Sequence, residues 1–202
     1  MLRSINFAIK RLVDLIGSGI GLIIVSPILF ITILLIEVFM PGPVFFKQQR
    51  VGKDGKVFNI LKFRSMKVDK EAEKNHDFSK DEERKTPFGN LIRRLKIDEL
   101  PQLINVFRGD MSLVGPRPTV KEQTDLYNDY QRQRLNMRPG MTGLAQVNGN
   151  ISLTWDERIE YDVEYITKFS VLLDIKILFK TIAVVVCGED KFKNPKDKRC
   201  EK

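Results

Sequence analysis

The chain has 202 residues and a formal net charge of +8 at pH 7, which is enough length for one domain with its own core plus a smaller appendage. The excess of positive charge favours an anionic partner, such as a nucleic acid, an acidic membrane surface or a phosphorylated substrate. Two cysteines, Cys187 and Cys200, make neither a disulfide framework nor a zinc-binding pattern. This composition excludes a disulfide-rich secreted domain and suits a reducing compartment.

The first feature along the chain is an uncharged, mostly apolar stretch from Leu15 to Ile36. At about 1.5 Å per residue, a helix of this length could cross the hydrocarbon core of a membrane. Ser26-Pro27 interrupts the stretch, and a proline removes one helical hydrogen bond. Basic residues lie on both sides of it, so charge gives no crossing direction. Two alternatives remain: a straight span, and a broken helix that returns to the same face.

A β-hairpin is predicted next, because Asp54-Gly55 is a strong turn signal between two strand-like runs. Alternation along the second strand puts four side chains on one face: Phe58, Ile60, Lys62 and Arg64. Residues 67–87 then carry dense charge of both signs, which predicts a mobile excursion or an exposed helix. His76, the single histidine, lies there with no metal-binding residue type suitably placed beside it. We therefore expect His76 at the surface.

The most informative stretch runs from Leu91 to Pro118 and contains the adjacent carboxylates Asp98 and Glu99. Apolar residues follow them with the spacing of one helix face: Leu100, Leu103, Ile104 and Phe107. The pattern predicts a helix with Asp98 at its N-cap and with Arg108 and Gly109 at its end. Arginines flank the acid pair at three positions: Arg93, Arg94 and Arg117. Acids and guanidinium groups beside a helix N-terminus indicate phosphate chemistry, although an aspartate that only caps a helix gives the same local pattern.

The rest of the chain predicts three further helices and one polar loop. A polar helix is expected from Thr119 to about Asn136, and two more from Trp155 to Lys168 and from Val171 to Val186. Three charges in the last helix make a membrane span costly and favour packing against the membrane surface or the first segment: Asp174, Lys176 and Lys180. Residues 141–150 could hold a small polar ligand or serve as a plain linker. The basic tail, 188–202, suits a position near anionic lipid.

Three motifs, in this order and at this spacing, resemble the bacterial sugar transferase family: KFRSM at 62–66, the stretch at 91–118, and RPGMTGLAQVNG at 138–149. The resemblance implies a small monotopic phosphoglycosyl transferase at the cytoplasmic face of the bacterial inner membrane. Its fold class would be α+β. Residues 1–40 would form a re-entrant membrane helix broken at Ser26 and Pro27. Residues 41–187 would form a mostly helical catalytic domain with the small hairpin and with amphipathic helices at the interface, followed by the 188–202 tail.

The same resemblance implies a reaction. Members of this family transfer a sugar-1-phosphate from a UDP-sugar to polyprenol phosphate, usually undecaprenyl phosphate, and release UMP. This is the first membrane step in the assembly of capsule, exopolysaccharide, O-antigen or glycoprotein. The family's covalent nucleophile falls on Asp98, with Glu99 assisting it. Both carboxylates would serve the Mg²⁺ that the family requires.

Substrate-binding roles follow from the motifs. We expect phosphate or carboxylate positioning from one group, Lys62, Arg64, Arg93 and Arg117, and contacts with the nucleotide and nearby groups from another, Arg138, Thr142 and Gln146. Expected partners are membrane lipid and downstream glycosyltransferases, whereas the acid pair and the apolar segment argue against nucleic acid. The sequence leaves open the sugar, the pathway and whether the chain forms a homodimer. The alternative function is a catalytically inactive, membrane-associated protein that binds anions or acts as a scaffold in a polysaccharide complex.

Overall fold

The computed structural model describes residues 2–68, 81–187 and 192. Three of the expectations above therefore lie wholly or mostly outside the described residues: the course of residues 67–87, of which 69–80 are not described, the surface position of His76, and the placement of the basic tail. The helices are α1 (Leu2–Phe39), α2 (Asp81–Arg84), α3 (Pro87–Arg94), α4 (Gln102–Arg108), α5 (Lys121–Thr124), α6 (Asp129–Arg132), α7 (Leu144–Val147), α8 (Trp155–Thr167) and α9 (Val171–Cys187). Strands β1 (Phe45–Val51) and β2 (Val57–Phe63) pair antiparallel, and β3 (Ser112–Val114) and β4 (Gly140–Thr142) pair parallel. The described chain is thus mostly helical with a small antiparallel hairpin, as the sequence predicts, whereas the short parallel pair β3–β4 was not predicted.

Helix α1 carries most of the exposed apolar surface. It is 38 residues long and includes Pro27, so the predicted break at Ser26-Pro27 is not an interruption of the helix. Within the described ranges, it is the helix that is long and apolar enough to cross a membrane. Only 11% of its most apolar 18-residue window is buried. Most of this apolar surface therefore faces away from the rest of the protein.

The N-terminal part of α1 is fixed to the domain by a buried ion pair. Lys10 Nζ donates to Asp174 Oδ2 at 2.7 Å and to the carbonyl oxygen of Val114 at 2.8 Å. The hydroxyl of Tyr165 donates to the second oxygen of Asp174 at 2.7 Å. Both charged side chains are less than 10% exposed. The buried carboxylate of α9 thus holds α1 in place.

Two further contacts bring α1 close to the middle of the domain. Asp14 Oδ1 accepts a hydrogen bond from the backbone N–H of Leu113 at 2.9 Å. Gly21 lies against α4, and a Cβ added there would come within 3.4 Å of Leu103 Cδ1. The glycines of α1 therefore allow the close approach of α4, a helix of the same chain.

The C-terminal part of α1 packs against the same domain. Ile36 and Met40 are buried in one cluster with Phe63, at the end of β2, and Ile92, on α3. Both ends of the apolar helix thus contact one domain, and the apolar stretch between them is largely exposed.

The hairpin forms as predicted. The turn residues Asp54 and Gly55 have φ angles of 56° and 77°, a left-handed conformation that Asp and Gly tolerate better than most residues. The register pairs Arg50 with Phe58. Strand alternation then puts Arg50 on the same face as Lys62.

A second, parallel pair of strands holds the GPRP loop, residues 115–118. Gly115 N–H donates to the carbonyl of Thr142, and Gly140 N–H donates to the carbonyl of Pro116, both at 2.9 Å. A Cβ added to Gly140 would lie 2.1 Å from the nitrogen of Gly115. A side chain at position 140 would therefore clash with backbone atoms, which cannot move away as a flexible side chain can.

We expect Gly140→Ala to lower the free energy of unfolding by about 3 kcal/mol, at the upper end of ordinary overpacking costs. Gly19→Ala is the control, because its added Cβ meets only ordinary contacts at 3.6 Å and alanine favours a helix. Chemical unfolding in detergent measures both changes. Equal unfolding midpoints for the two variants would contradict the close approach.

The two C-terminal helices also match their predicted bounds within one residue. Thr154 caps α8 through a reciprocal capping box with Glu157, and α9 runs from Val171 to Cys187. The outward face of α9 is apolar and exposed, formed by Leu172, Ile175, Phe179, Ile182, Val185 and Val186. Such a face suits contact with a membrane surface.

Two predictions between residues 119 and 150 are wrong. The single helix expected from Thr119 to Asn136 is instead α5, α6 and a 3₁₀ turn over Gln133–Asn136. Asn128 starts a new helix with its own capping box, and the buried Tyr127 ends the segment before it. Residues 141–150 are not one loop, because β4 and α7 occupy part of them.

Candidate active site

The acid pair lies in a 3₁₀ turn, Ile97–Glu99, and not at the start of α4. The expected N-cap role of Asp98 is therefore wrong. Lys96 precedes the turn in a left-handed conformation with φ of 58°, and Pro101 occupies the N-cap position of α4 without a side-chain cap. The predicted end of the helix is confirmed, since Gly109 is left-handed with φ of 95°. Because Asp98 does not cap α4, helix capping does not account for its position.

Glu99 is the centre of a charged contact between three elements. Its Oε1 lies 2.6 Å from Lys62 Nζ on β2 and 3.8 Å from Arg117 Nη2 in the GPRP loop. Arg50 on β1 lines the same open pocket. The hairpin and the two-stranded parallel pair thus deliver three cations to the edge of the acid turn.

Opposite pKa shifts distinguish the two carboxyls. Burial, reinforced by the Glu99 carboxylate, raises the pKa of Asp98 above its ordinary value, against the opposing charges of Lys62, Arg93 and Lys96. Burial also acts to raise the pKa of Glu99, but Lys62 and Arg117 together outweigh it and leave the pKa lowered. Asp98 is only 8% exposed. The pair therefore combines a desolvated carboxylate with one that is held ionised by cations.

Lys62→Met is expected to raise the pKa of both carboxyls, because the ammonium favours their charged forms. The carboxyl carbons of Asp98 and Glu99 can be titrated by NMR with metal removed by chelation, and both midpoints should move to higher pH. Lys47→Met, at an exposed position of β1, is the control and should move neither. An unchanged or lower midpoint for Glu99 in Lys62→Met would show that the ion pair does not set its charge state.

Two of the other predicted residues contact helix ends instead of the acid pair. Arg64 donates to the carbonyls of Met40 and Pro41, just after α1. Arg138 Nε donates to the carbonyl of Gly109, at the end of α4, at 2.8 Å. Cations commonly occupy the carbonyl end of a helix. The expected grouping of Arg64 with Lys62 is therefore corrected.

The remaining predicted residues divide between the site and its surroundings. Arg93 is exposed near the end of α3, and its charge acts on Asp98. Thr142 is buried, with its hydroxyl 2.7 Å from that of Thr181, so it packs α9 against β4. Gln146 lines a second cleft that shares Arg50 and Arg117 with the pocket beside Glu99.

Several residues of this second cleft are not marked by any pattern in the sequence. Arg134 and Asp162 form an ion pair of 2.6 Å that is at most 3% exposed. The Arg134 guanidinium also lies 5.2 Å from the ring centre of Trp155 and 5.6 Å from that of Tyr127. Arg158 lines the cleft from the same helix as Trp155. The register of the predicted hairpin could have placed Arg50 on the same face of the strands as Lys62. No local sequence pattern indicates the pairing of Arg134 with Asp162.

The residues that could hold the expected magnesium ion are the two carboxylates of the acid pair. The described residues hold no cluster of three or more His, Cys, Asp or Glu side chains. Mg²⁺ does not need one, because it prefers oxygen ligands and usually combines one or two carboxylates with water and substrate phosphates. Glu99 lines the pocket together with the cations Arg50, Lys62 and Arg117, and Asp98 precedes it in the same 3₁₀ turn.

Known proteins resemble this chain over nearly its whole length. The bacterial sugar transferase family matches residues 5–188. The uncharacterized sugar transferase EpsL of Bacillus subtilis (strain 168) is 44% identical over 90% of this chain and 89% of its own length. UDP-glucose:undecaprenyl-phosphate glucose-1-phosphate transferase of Escherichia coli (strain K12) is 40% identical over 90% of this chain.

A third relative has a different sugar in its name. UDP-N-acetylgalactosamine-undecaprenyl-phosphate N-acetylgalactosaminephosphotransferase of Aeromonas hydrophila is 43% identical over 89% of this chain. The present chain spans only 41% of the Escherichia coli protein and 44% of the Aeromonas protein. The resemblance found in the three sequence motifs is confirmed: this chain belongs to the bacterial sugar transferase family.

Proposed function

We propose that this protein transfers a sugar-1-phosphate from a UDP-sugar to a polyprenol phosphate, such as undecaprenyl phosphate, and releases UMP. The names of two relatives describe this class of reaction. The observation that carries the proposal is the buried Asp98 next to Glu99, whose Oε1 contacts Lys62 and Arg117. Transfer between two anions demands charge neutralisation above all, and this site supplies fixed cations around a carboxylate.

In the first step, a carboxylate oxygen of Asp98 attacks the phosphorus that carries the sugar. The bond from this phosphorus to the bridging oxygen breaks, and UMP leaves with the electron pair. The sugar phosphate is then held on Asp98 as an acyl phosphate, which divides one difficult transfer into two easier ones. Lys62 and Arg117, which contact Glu99, are placed to stabilise charge on the diphosphate.

In the second step, a phosphate oxygen of the lipid attacks the same phosphorus. The bond to Asp98 breaks, the carboxylate is regenerated, and the product is a polyprenyl diphosphate sugar. Glu99 stays ionised because of its cations, so it can accept a proton from the incoming phosphate. When bound to the oxygens of Asp98 and Glu99, Mg²⁺ would neutralise part of the phosphate charge.

The lipid substrate requires a site at a membrane surface. The two ends of α1 contact the same domain, through Lys10 at one end and through Ile36 and Met40 at the other. If α1 crossed a bilayer, its two ends would lie on opposite sides of the hydrocarbon core, and the domain that contacts both ends would have to lie inside that core. We therefore place both ends on the cytoplasmic face of the bacterial inner membrane, with the exposed middle of α1 in lipid as a re-entrant element.

The test is UMP release by membranes that contain the protein. Undecaprenyl phosphate and a panel of UDP-sugars are supplied with Mg²⁺, and membranes without the protein are the blank. At least one UDP-sugar should yield UMP in an amount that depends on the lipid phosphate. Release of no UMP from any donor would support the alternative, an inactive anion-binding or scaffolding protein.

A further inference from the structure

We propose that the cleft between α7 and α8 binds the uracil base of the donor, with the Gln146 carboxamide on the edge of the base and Trp155 against its ring. This inference rests on the proposed function, because it assigns one end of a UDP-sugar to a place beside the acid pair. It goes further by naming the residues that read the base. The cleft has a volume of about 210 Å³ and is partly open to solvent, so it is smaller than the pockets that enclose a whole drug-sized ligand but can admit a single planar base.

The carboxamide of Gln146 has unused hydrogen-bonding capacity. Its nitrogen and its oxygen are both shielded from solvent, and neither has a hydrogen-bond partner in the described part of the chain. Buried polar atoms are paired in the great majority of cases, and an unpaired one in a native protein calls for an explanation. A ligand that supplies one acceptor and one donor side by side would satisfy both atoms after the amide turns toward the cleft.

Uracil presents that pattern. Its N3–H donates, and the carbonyl on either side accepts, so a carboxamide can make two parallel hydrogen bonds to this edge. The amide of Gln146 provides the complementary acceptor and donor. A sugar hydroxyl or a phosphate oxygen could use either atom of the amide, but neither has this fixed planar pair.

Trp155 supplies a flat surface beside the amide. Its indole is packed on the guanidinium of Arg134 at 5.2 Å, and Arg134 is in turn held by its ion pair with Asp162. Trp155 nevertheless remains 37% exposed where it lines the cleft. An aromatic ring fixed in this way suits stacking with a base, which typically contributes about 1–3 kcal/mol.

Two arginines lie between this cleft and the pocket beside the acid pair. Arg50 and Arg117 line both the cleft and the pocket beside Glu99. Burial, with the nearby positive charge of Arg117, lowers the pKa of Arg50. The positive charges of the two guanidinium groups repel each other. An anion bound between them would reduce this repulsion. A diphosphate there would lie between a base at Gln146 and a sugar phosphate at Asp98, which is the order of groups in a UDP-sugar.

The experiment uses Trp155, the single tryptophan of the chain, as its probe. UMP is titrated into the purified full-length protein in detergent, without lipid phosphate, and the tryptophan fluorescence is recorded. We expect a saturable change on addition of UMP. Ribose 5-phosphate, which has the sugar phosphate without the base, should bind much more weakly.

Two variants and one control test the role of the amide. Gln146→Ala and Gln146→Leu should weaken UMP binding about tenfold, the loss expected for a pair of base contacts, and should leave the affinity for ribose 5-phosphate unchanged. Gln146→Leu should also unfold at the same or a higher temperature, because it removes two unpaired buried polar atoms. Gln49→Ala, at an exposed position of β1, should bind UMP like the unaltered protein.

Equal UMP affinity in the unaltered protein and Gln146→Leu would overturn the proposal. A saturable UMP signal that ribose 5-phosphate reproduces would overturn it as well, since the base would then contribute nothing. These measurements involve no turnover, so they test the uracil site separately from the proposed transfer reaction. UMP binding through Gln146 without release of UMP from any UDP-sugar would leave the base site standing and refute the proposed reaction.

Discussion

Asp98→Asn is expected to reduce UMP release by a factor on the order of 10³ or more, the range found when a covalent nucleophile is removed. Asparagine has nearly the same shape, but its amide cannot form an acyl phosphate that resolves to a carboxylate. Because Asp98 does not cap a helix, its replacement should leave the stability of the fold nearly unchanged. UMP release with saturating UDP-sugar and undecaprenyl phosphate measures the first effect, and chemical unfolding measures the second.

The matched control is Asp54→Asn in the hairpin turn. Asp54 is left-handed with φ of 56°, a conformation that asparagine also tolerates. This variant has the same chemical change at a position outside the site, so its turnover should equal that of the unaltered protein. Wild-type turnover in a folded Asp98→Asn variant would rule out Asp98 as the nucleophile.

Asp174→Ala is expected to destabilise the protein by about 3–5 kcal/mol, the typical cost of removing one partner of a buried ion pair. The change leaves the ammonium of Lys10 buried without its 2.7 Å partner and also removes the acceptor of the Tyr165 hydroxyl. Since Lys10 belongs to α1, the attachment of the apolar helix to the domain should weaken as well. Chemical unfolding in detergent, with limited proteolysis near residue 10, measures both effects.

Glu164→Ala is the control for the ion pair. Glu164 pairs with Lys168 at 2.8 Å on the exposed face of α8, and exposed pairs contribute only about 0.5 kcal/mol. The double variant Lys10→Met, Asp174→Leu should recover much of the lost stability, because an apolar pair replaces two buried charges without leaving one unpaired. Equal destabilisation by Asp174→Ala and Glu164→Ala would show that the Lys10 contact does not anchor α1.

Local sequence patterns identify the hairpin and the last two helices because each is specified by neighbouring residues. The Asp54-Gly55 turn, the Thr154 cap and the apolar periodicity of α9 act over a few positions. The interval from Thr119 to Asn136 lacks such a pattern. Its course depends on the burial of Tyr127 and on a fresh cap at Asn128, which a polar helical composition does not reveal.

The sequence predicts only those parts of the site that are formed by neighbouring residues. Adjacent carboxylates and flanking arginines are visible in the chain, and the structure places Lys62 and Arg117 on Glu99. Partners that are distant in sequence are not visible. Arg64 and Arg138 have the charge expected of phosphate ligands, yet they bind carbonyl groups near the ends of α1 and α4.

The second cleft is also formed by residues that are distant in sequence. Gln146 belongs to the motif at 138–149, but Trp155 and Arg134 come from other parts of the chain. Their contact depends on how α8 packs against the 3₁₀ turn at Gln133–Asn136. A site assembled from separate segments can be recognised only when their packing is known.

The most direct measurement is the intact mass of the protein after incubation with a UDP-sugar that it uses, in the absence of lipid phosphate. The proposed mechanism predicts a burst of UMP no larger than the amount of enzyme, an added mass equal to one sugar phosphate, and location of that mass on the peptide containing Asp98. Addition of undecaprenyl phosphate should then remove the added mass and yield the lipid product. Turnover that requires both substrates at once and never produces the added mass would contradict covalent transfer through Asp98.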